Sequence, residues 1–399
     1  MKVGLNNGLK QTRLRLGLSQ QDLAAMAGVS RQTIGAVESG QTALSITVAL
    51  RLAKGLGCRV EDLFWLAEEA TQIMAMPAQG TPQGSPLRVS LAQVGGRWVA
   101  HPLVGADAFR MELIPADGEV YASGDPSGDT ALSPAQGQGD AAAKGQDPVA
   151  VTLLDDAANL LNTVVVAGCA PALSLWAKAA ERWHPGLRVH LTFANSQDAL
   201  QRLLLGEVHI AGMHLFCPHT QSFNLPFVRQ ALADQSIDQA AVIVNLGVWQ
   251  EGLLVAPGNP KGIQGVADLG REDVVLINRE PGAGSRHVLD QAMAEVGLSW
   301  LGTGPVAYSH QAVAEAILTG QADVGVSAAS VAETFQLGFI PLRSSHYDLV
   351  TLKPYIEEPP VQQLLATLGH RRVLSQLEHL GGYDTQLTGE VIATINPQG

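Results

Sequence analysis

The chain has 399 residues, 46% hydrophobic and 16% charged, enough for two or three domains with separate cores. Its net charge of −12 excludes a uniformly basic surface, yet residues 1–66 hold eight Lys/Arg against four Asp/Glu. That segment therefore carries +4 and the remainder −16, the pattern of one DNA-facing end on an acidic body. No apolar run approaches the roughly 20 residues that span a bilayer. The opening "MKVGLNNGLKQTRLRLGLSQ" lacks the apolar core of a secretory signal, and a cytoplasmic location is expected. Cys58, Cys169 and Cys217 are an odd count without CxxC spacing, so no disulfide framework is implied.

In chain order, apolar spacing predicts helices near 5–16, 19–26, 30–38, 45–56 and 60–67, with a helical run on to about 76 that Pro77 ends. "PAQGTPQGSP" follows as a linker. Residues 87–122 change period: "LRVSLAQV-GG-RWVAHPLV" reads as a hairpin, and "MELIPADGEVYAS" suggests a second. The Gly/Ala/Gln/Asp-rich stretch 124–148 has almost nothing to bury and reads as a flexible loop. From about 149, β-like runs alternate with helical ones, which indicates parallel sheets covered by helices. The expected divisions are thus 1–76, 77–123, 124–148 and 149–399.

"SQQDLAAMAGVSRQTIGAVESG" is the most specific stretch. Ser19 and Ser30 can cap two helices, Gly28 can take the left-handed backbone between them, and Leu23, Ala24, Ala27, Val29, Ile34 and Val37 can hold the pair together. Over residues 5–66 the chain resembles the phage-repressor, Cro/XRE-type helix-turn-helix family, through "LSQQDLA", "GVSRQTI", "ESG" and "ALRLAKGLGC". The resemblance implies a second helix lying in the major groove and binding as a homodimer on a double-stranded operator. Arg31, Gln32 and Thr33 then read base edges, Gln20 and Ser30 meet phosphates, and Ala36 offers an apolar contact. Arg13 and Glu38 match a pair that ties the first helix to the recognition helix. A helical docking module without DNA is the alternative.

"VVLINREPGAGSRHVLDQAM" carries a glycine turn between a strand-like and a helix-like run. It lacks the third glycine of a dinucleotide fingerprint and the Lys of a P-loop, so a nucleotide is disfavoured. Gly282 and Gly284 permit close approach, and a helix start near Ser285 offers free N–H groups to a compact oxyanion, flanked by Arg279 and Arg286. Gly168, Cys169, Asn195, Ser196, Tyr308 and Ser327 lie at similar strand ends, and His214 follows another strand. An ordinary tight turn would explain the glycines equally.

From about 160 to 390 the chain resembles the periplasmic-binding-protein-like (type II) ligand domain, in particular the version fused to helix-turn-helix regulators beside molybdopterin-biosynthesis proteins. "GCAPALSL", "GEVHIAGMHL", "QEGLLVAPGNPKGI", "DLGREDVVLINREPGAGSRHVLD" and "GQADVGVSAA" carry the likeness. The resemblance implies two α/β lobes, and molybdate or tungstate as effector. Where the family often has Asp, this chain has Ala170.

"HIAGMHLFCPHT" gathers His209, His214, Cys217 and His219, but the spacing fits no familiar finger, so no metal ligands are assigned. No catalytic residue or cofactor is assigned either, since no nucleophile elbow is present. The expected architecture is multidomain: an all-α helix-turn-helix head, a small β segment, and a two-lobed α/β ligand domain. The expected function is a transcriptional regulator that senses a small oxyanion and does no chemistry. Two alternatives are a molybdenum-cofactor biosynthesis enzyme with a regulatory head, and a transport-type binding protein.

Overall fold

A computed structural model describes the chain except residues 1–4, 41, 43, 67–70, 80–86, 109–113, 121–146, 301, 303 and 397–399. Two compact units emerge, Met1–Thr71 and Gln72–Gly399. Most of the expected flexible loop, 124–148, lies outside the described residues.

In the first unit β1 (Leu5–Asn7) precedes α1 (Leu9–Arg15), α2 (Gln20–Ala27), α3 (Arg31–Glu38), α4 (Ile46–Leu56) and β2 (Phe64–Leu66). The starts are set by side-chain caps. Ser19 and Asp22 form a reciprocal capping box on α2, while Ser30 and Ser45 accept from Thr33 N and Val48 N. Gly28 ends α2 at φ 69°, a left-handed conformation that a side chain would strain. Leu9, Leu23, Ala27, Ile34, Val37, Leu52 and Leu63 close the core.

The helix expected at 60–67 is corrected. The Val60 carbonyl accepts from Leu63 N and Phe64 N in a single turn, and Phe64–Leu66 then pairs antiparallel with Leu5–Asn7. The aromatic Phe64 and Trp65 suit a strand, and their partner is 57 or more positions upstream, beyond any local pattern. The first helix accordingly begins at Leu9 rather than residue 5.

The second unit opens with a closed five-stranded barrel. It comprises β3 (Gln72–Pro77), β4 (Leu87–Val94), β5 (Arg97–Pro102), β6 (Gly118–Val120) and β7 (Val149–Leu153), in the order β3-β5-β4-β6-β7. The hairpin expected around Gly95-Gly96 is present, with φ of 56° and 77° at the two glycines. The helical run expected to about 76 is instead β3, which pairs with β7 from Gln72↔Thr152 to Ala75↔Val149. Of the second expected hairpin, "MELIPADGEVYAS", residues 111–113 and 121–123 lie outside the described residues; its described strand β6 pairs with β4 and β7. Val149–Leu153 thus completes the barrel, and α5 (Ala157–Leu160) puts Leu160 into the barrel core.

The α/β body runs β8 (Thr163–Gly168), α6 (Ala172–Trp183), β9 (Arg188–Phe193), α7 (Ser196–Leu204), β10 (Ile210–Met213), β11 (Phe216–Cys217), β12 (Ser222–Phe223) and α8 (Leu225–Asp234). Then come β13 (Ala241–Val255), β14 (Leu276–Arg279), α9 (Gly284–Glu295), β15 (Val306–Ala307), α10 (His310–Leu318), β16 (Val324–Ala328) and α11 (Ala329–Phe335). The chain closes with β17 (Gly338–Leu352), α12 (Lys353–Ile356), α13 (Pro359–Ala366), α14 (Arg371–His379), β18 (Tyr383–Asp384) and β19 (Val391–Ile395).

One curled sheet holds both lobes, in the order β15-β14-β16-β13-β17-β10-β8-β9. β8 is parallel to β9 and β10 in the first lobe, and β14 is parallel to β15 and β16 in the second. The two 15-residue strands β13 and β17 run antiparallel through both, with register shifts at Asn245/Gly247 and Glu251/Gly252. These shifts bend the long pair where the lobes meet. The barrel docks on the first lobe: Glu207 Oε1 accepts from Gln79 N at 2.9 Å, and Asp107 Oδ1 from Phe193 N at 3.0 Å.

Candidate functional site

In the head, α3 presents Arg31 and Gln32 as exposed side chains, with Thr33 and Ala36 half-buried beside them. Ser30 is committed to capping α3, and Gln20 Nε2 donates to Glu38 Oε2 at 2.9 Å. The expected Arg13–Glu38 pair is bidentate, at 2.6 and 3.1 Å. Burial works against the Glu38 charge, but Arg13 and Gln20 outweigh it and hold the carboxyl below its ordinary value. The acid is thus a fixed post between α1, α2 and α3, which aims the exposed face of α3.

In the α/β body, strand-end side chains converge between the lobes. Cys169 Sγ lies 3.8 Å from His214 Nε2 and 3.8 Å from His310 Nε2. His214 Nδ1 lies 3.2 Å from Glu251 Oε2, whose other oxygen accepts from Ser285 Oγ at 2.6 Å. His310 Nδ1 sits 2.9 Å from Ser327 Oγ. Trp249 packs edge-on to both histidines, and Tyr347 stacks on His214. All of these side chains are buried.

Burial alone would strip the charge from His214, but Glu251 and Cys169 reverse that and hold its pKa up at about 10. Burial likewise opposes ionised Glu251, yet His214, Ser285 and Ser345 bring its pKa below the ordinary value. His310 goes the other way. Burial, then the charges of Arg279 and His214, push it well below its ordinary value, so it stays neutral. Two adjacent imidazoles are thus set in opposite states.

Tyr347 explains the turn at Gly168. Its hydroxyl accepts from Cys169 N at 3.3 Å and Ala170 N at 3.4 Å, standing where an anion would cap α6. A Cβ on Gly168 or Gly212 would collide with that hydroxyl.

The expected ligand residues divide. Cys169, His214, Ser285 and Ser327 belong to the cluster. Asn195 caps α7 through Gln197 N and Asp198 N and reaches across to Pro281 O at 3.4 Å, while Ser196 Oγ accepts from His214 N. At Gly284 a Cβ would strike the His214 carbonyl, so the glycine turn is where the lobes touch. Arg279 is fully buried and pairs with Glu280 at 2.8 Å, leaving its Nη1 without a hydrogen-bond partner among the described residues. Arg286 pairs with Asp290 and donates to the Arg279 carbonyl; Tyr308 is 70% exposed. Those two do not join the cluster.

Sequence reasoning missed Glu251, Trp249 and Tyr347, and placed His310 in the strand-to-helix turn "AYSHQAV" without assigning it to the ligand. The signal for Glu251 was a lone acid within the apolar run "NLGVWQEGLLV". Of the four residues weighed near 209–219, only His214 enters; Cys217 is half-buried on β11 and His219 is exposed. A surface groove of about 850 Å³ lies elsewhere, between α6 and α14.

Comparison with known proteins fits this layout. A helix-turn-helix family model matches residues 9–63. The HTH-type transcriptional regulator YgzD of Bacillus subtilis is 42% identical over 65 residues, 16% of this chain and 98% of YgzD. The chain belongs to the helix-turn-helix transcriptional regulators. Residues 177–369 match the PBP superfamily domain, so a DNA-binding head is fused to a binding-protein fold. The protein YvgK of Bacillus subtilis is 34% identical over 203 residues, 50% of this chain, and the chain spans 64% of YvgK's length. Among solved structures, a phosphate-transporter substrate-binding protein from Clostridium perfringens aligns with a TM-score of 0.44 and 12% identity, over 56% of this chain and 99% of that one. The tungstate ABC transporter structure from Geobacter sulfurreducens gives 0.42 and 10%, over 54% and 98%. No helix among the described residues is long and apolar enough to cross a membrane.

Proposed function

We propose that this regulator works in the cytoplasm as a homodimer, reading an operator through Arg31, Gln32 and Thr33 and sensing a small oxyanion, molybdate or tungstate first, between the two lobes. It acts by binding rather than by turnover. The carrying observation is the wholly buried Arg279 guanidinium whose Nη1 has no partner among the described residues. A buried donor left unpaired costs free energy that a ligand oxygen would recover. Trp249 Nε1 is a second buried donor without a partner.

The outer charge of the body does not oppose this reading, because surface charge is screened over about 10 Å at 0.1 M salt while donors act at contact. Opening the lobes withdraws His214 from Gly284 and frees the start of α9, which no side chain caps. Ligand then selects between lobe arrangements, and operator affinity changes by the difference in binding free energy.

A thermal-shift screen of the full chain against molybdate, tungstate and sulfate tests the effector. At a hundredfold excess over Kd, binding stabilises by about 2.7 kcal/mol. No shift at millimolar concentration of any of the three removes the oxyanion reading and leaves the DNA-binding head untouched.

A further inference from the structure

Two strand-to-helix turns and the link between β10 and β11 deliver metal-type donors to one buried point. Cys169 follows β8, His214 follows β10 and His310 begins α10, and their donor atoms all lie within 4.8 Å of one another. The ring nitrogens facing away from the sulfur are both engaged, His214 Nδ1 by Glu251 and His310 Nδ1 by Ser327. Each ring is therefore pinned with Nε2 toward Cys169. A carboxylate or hydroxyl on the outer nitrogen is how metal-bound imidazoles are oriented.

We propose that Cys169, His214 and His310 bind a divalent transition-metal ion, zinc in the first place, that staples the two lobes together. Cys169 and His214 stand on the lobe of β8 and β10, whereas His310 stands on the lobe of β14 and β16. With Zn–S near 2.3 Å and Zn–N near 2.05 Å, sulfur and nitrogen are about 3.6 Å apart at a tetrahedral angle and about 3.8 Å at a trigonal one. Both Cys169–imidazole separations are 3.8 Å. Three protein ligands on such a face leave one position open.

Charge selects the ion. In the metal-bound state the Cys169 thiolate and Glu251 bring two negative charges, both imidazoles are neutral ligands because the ion displaces the Nε2 proton that His214 carries without it, and Arg279 and Glu280 cancel each other. A dipositive ion leaves the buried cluster neutral; monovalent copper leaves it negative, which burial disfavours. A nucleophilic cysteine is the rival reading of Cys169–His214–Glu251. It needs one base and an open approach, whereas Cys169 is buried and its sulfur faces two imidazoles.

The test uses the full chain, reduced and stripped with chelator. Zinc is titrated against a chromophoric chelator, and cobalt(II) is followed by its absorption. The expected result is one tight zinc per chain and a thiolate-to-cobalt charge-transfer band. Cys169→Ser should abolish the band, His310→Gln should weaken zinc by at least about 100-fold, and Glu251→Gln by about 10–100-fold. The double variant Cys58→Ser/Cys217→Ser should keep both signals. Circular dichroism of the zinc-free variants checks folding, and if Cys169→Ser fails to fold, the wild-type cobalt spectrum decides. Absence of that band, or its loss in the double variant, overturns the proposal. Zinc binding without a molybdate shift keeps this site and removes the effector reading; the reverse keeps the effector and removes the site.

Discussion

His214 and Glu251 form a buried ion pair, Nδ1 to Oε2 at 3.2 Å, at the point where the glycine turn of the second lobe meets the first. Each keeps the other charged against burial. Removing one partner leaves an uncompensated buried group, which costs about 3–5 kcal/mol. Glu251→Gln should lower stability by about that much in urea unfolding of the chelator-stripped full chain, because the amide oxygen can accept from only one of His214 and Ser285. A loss below 1 kcal/mol, the range of an exposed pair, would contradict the pairing.

In the chelator-stripped chain the same pair sets a pH window. His214 has a folded pKa of about 10 against an ordinary 6.5, so its contribution is complete below 6.5 and disappears as pH rises toward 10. Glu251 lies below its ordinary 4.5, so its contribution is present above 4.5 and is lost on acidification. The stability gap between wild type and Glu251→Gln should be widest between about pH 4.5 and 6.5 and shrink steadily toward pH 10. A gap that stays constant from pH 6 to 9 would refute it.

On the head, exposure separates reading from support. Arg31→Ala and Gln32→Ala remove exposed side chains and should leave the melting temperature unchanged. Each should cost about 1–3 kcal/mol of discrimination at one operator position. Arg13→Ala should instead lower the melting temperature and weaken all sequences alike, because Glu38 loses its bidentate partner. Equal behaviour of the two kinds of variant in a binding-site selection would break this division.

Arg279→Met keeps much of the side-chain stem and removes the unpaired Nη1. It also leaves Glu280 without its 2.8 Å partner, so the variant should melt lower even without ligand. The informative readout is the ligand-dependent increment, expected to vanish for molybdate and tungstate. An increment equal to that of wild type would show that Arg279 does not meet the anion.

What could be seen in advance follows from range. Helices α2 and α3 rest on Ser19, Ser30 and Gly28, whose caps act within three or four residues, so their pattern is local and was legible. The β3–β7 edge of the barrel joins Gln72 to Thr152, and no window of ten or fifteen residues contains both. Phe64–Leu66 was misread as helix for the same reason. In the buried cluster, Cys169 and His214 stand out in the sequence as strand-end residues. Their meeting with His310 depends on β13 and β17 passing through both lobes, a tertiary event without a local trace. Tyr308, two positions before His310, drew attention that the exposed side chain does not justify.

The most direct test is the operator affinity of the full chain, by fluorescence anisotropy on a sequence the chain itself selects from a random pool, with and without millimolar molybdate or tungstate. Saturating oxyanion should shift Kd by at least about fivefold in wild type, the lower end of ordinary coupling between sites, and Arg279→Met should lose the shift. Tight, sequence-specific binding with a Kd that no oxyanion moves would contradict oxyanion sensing.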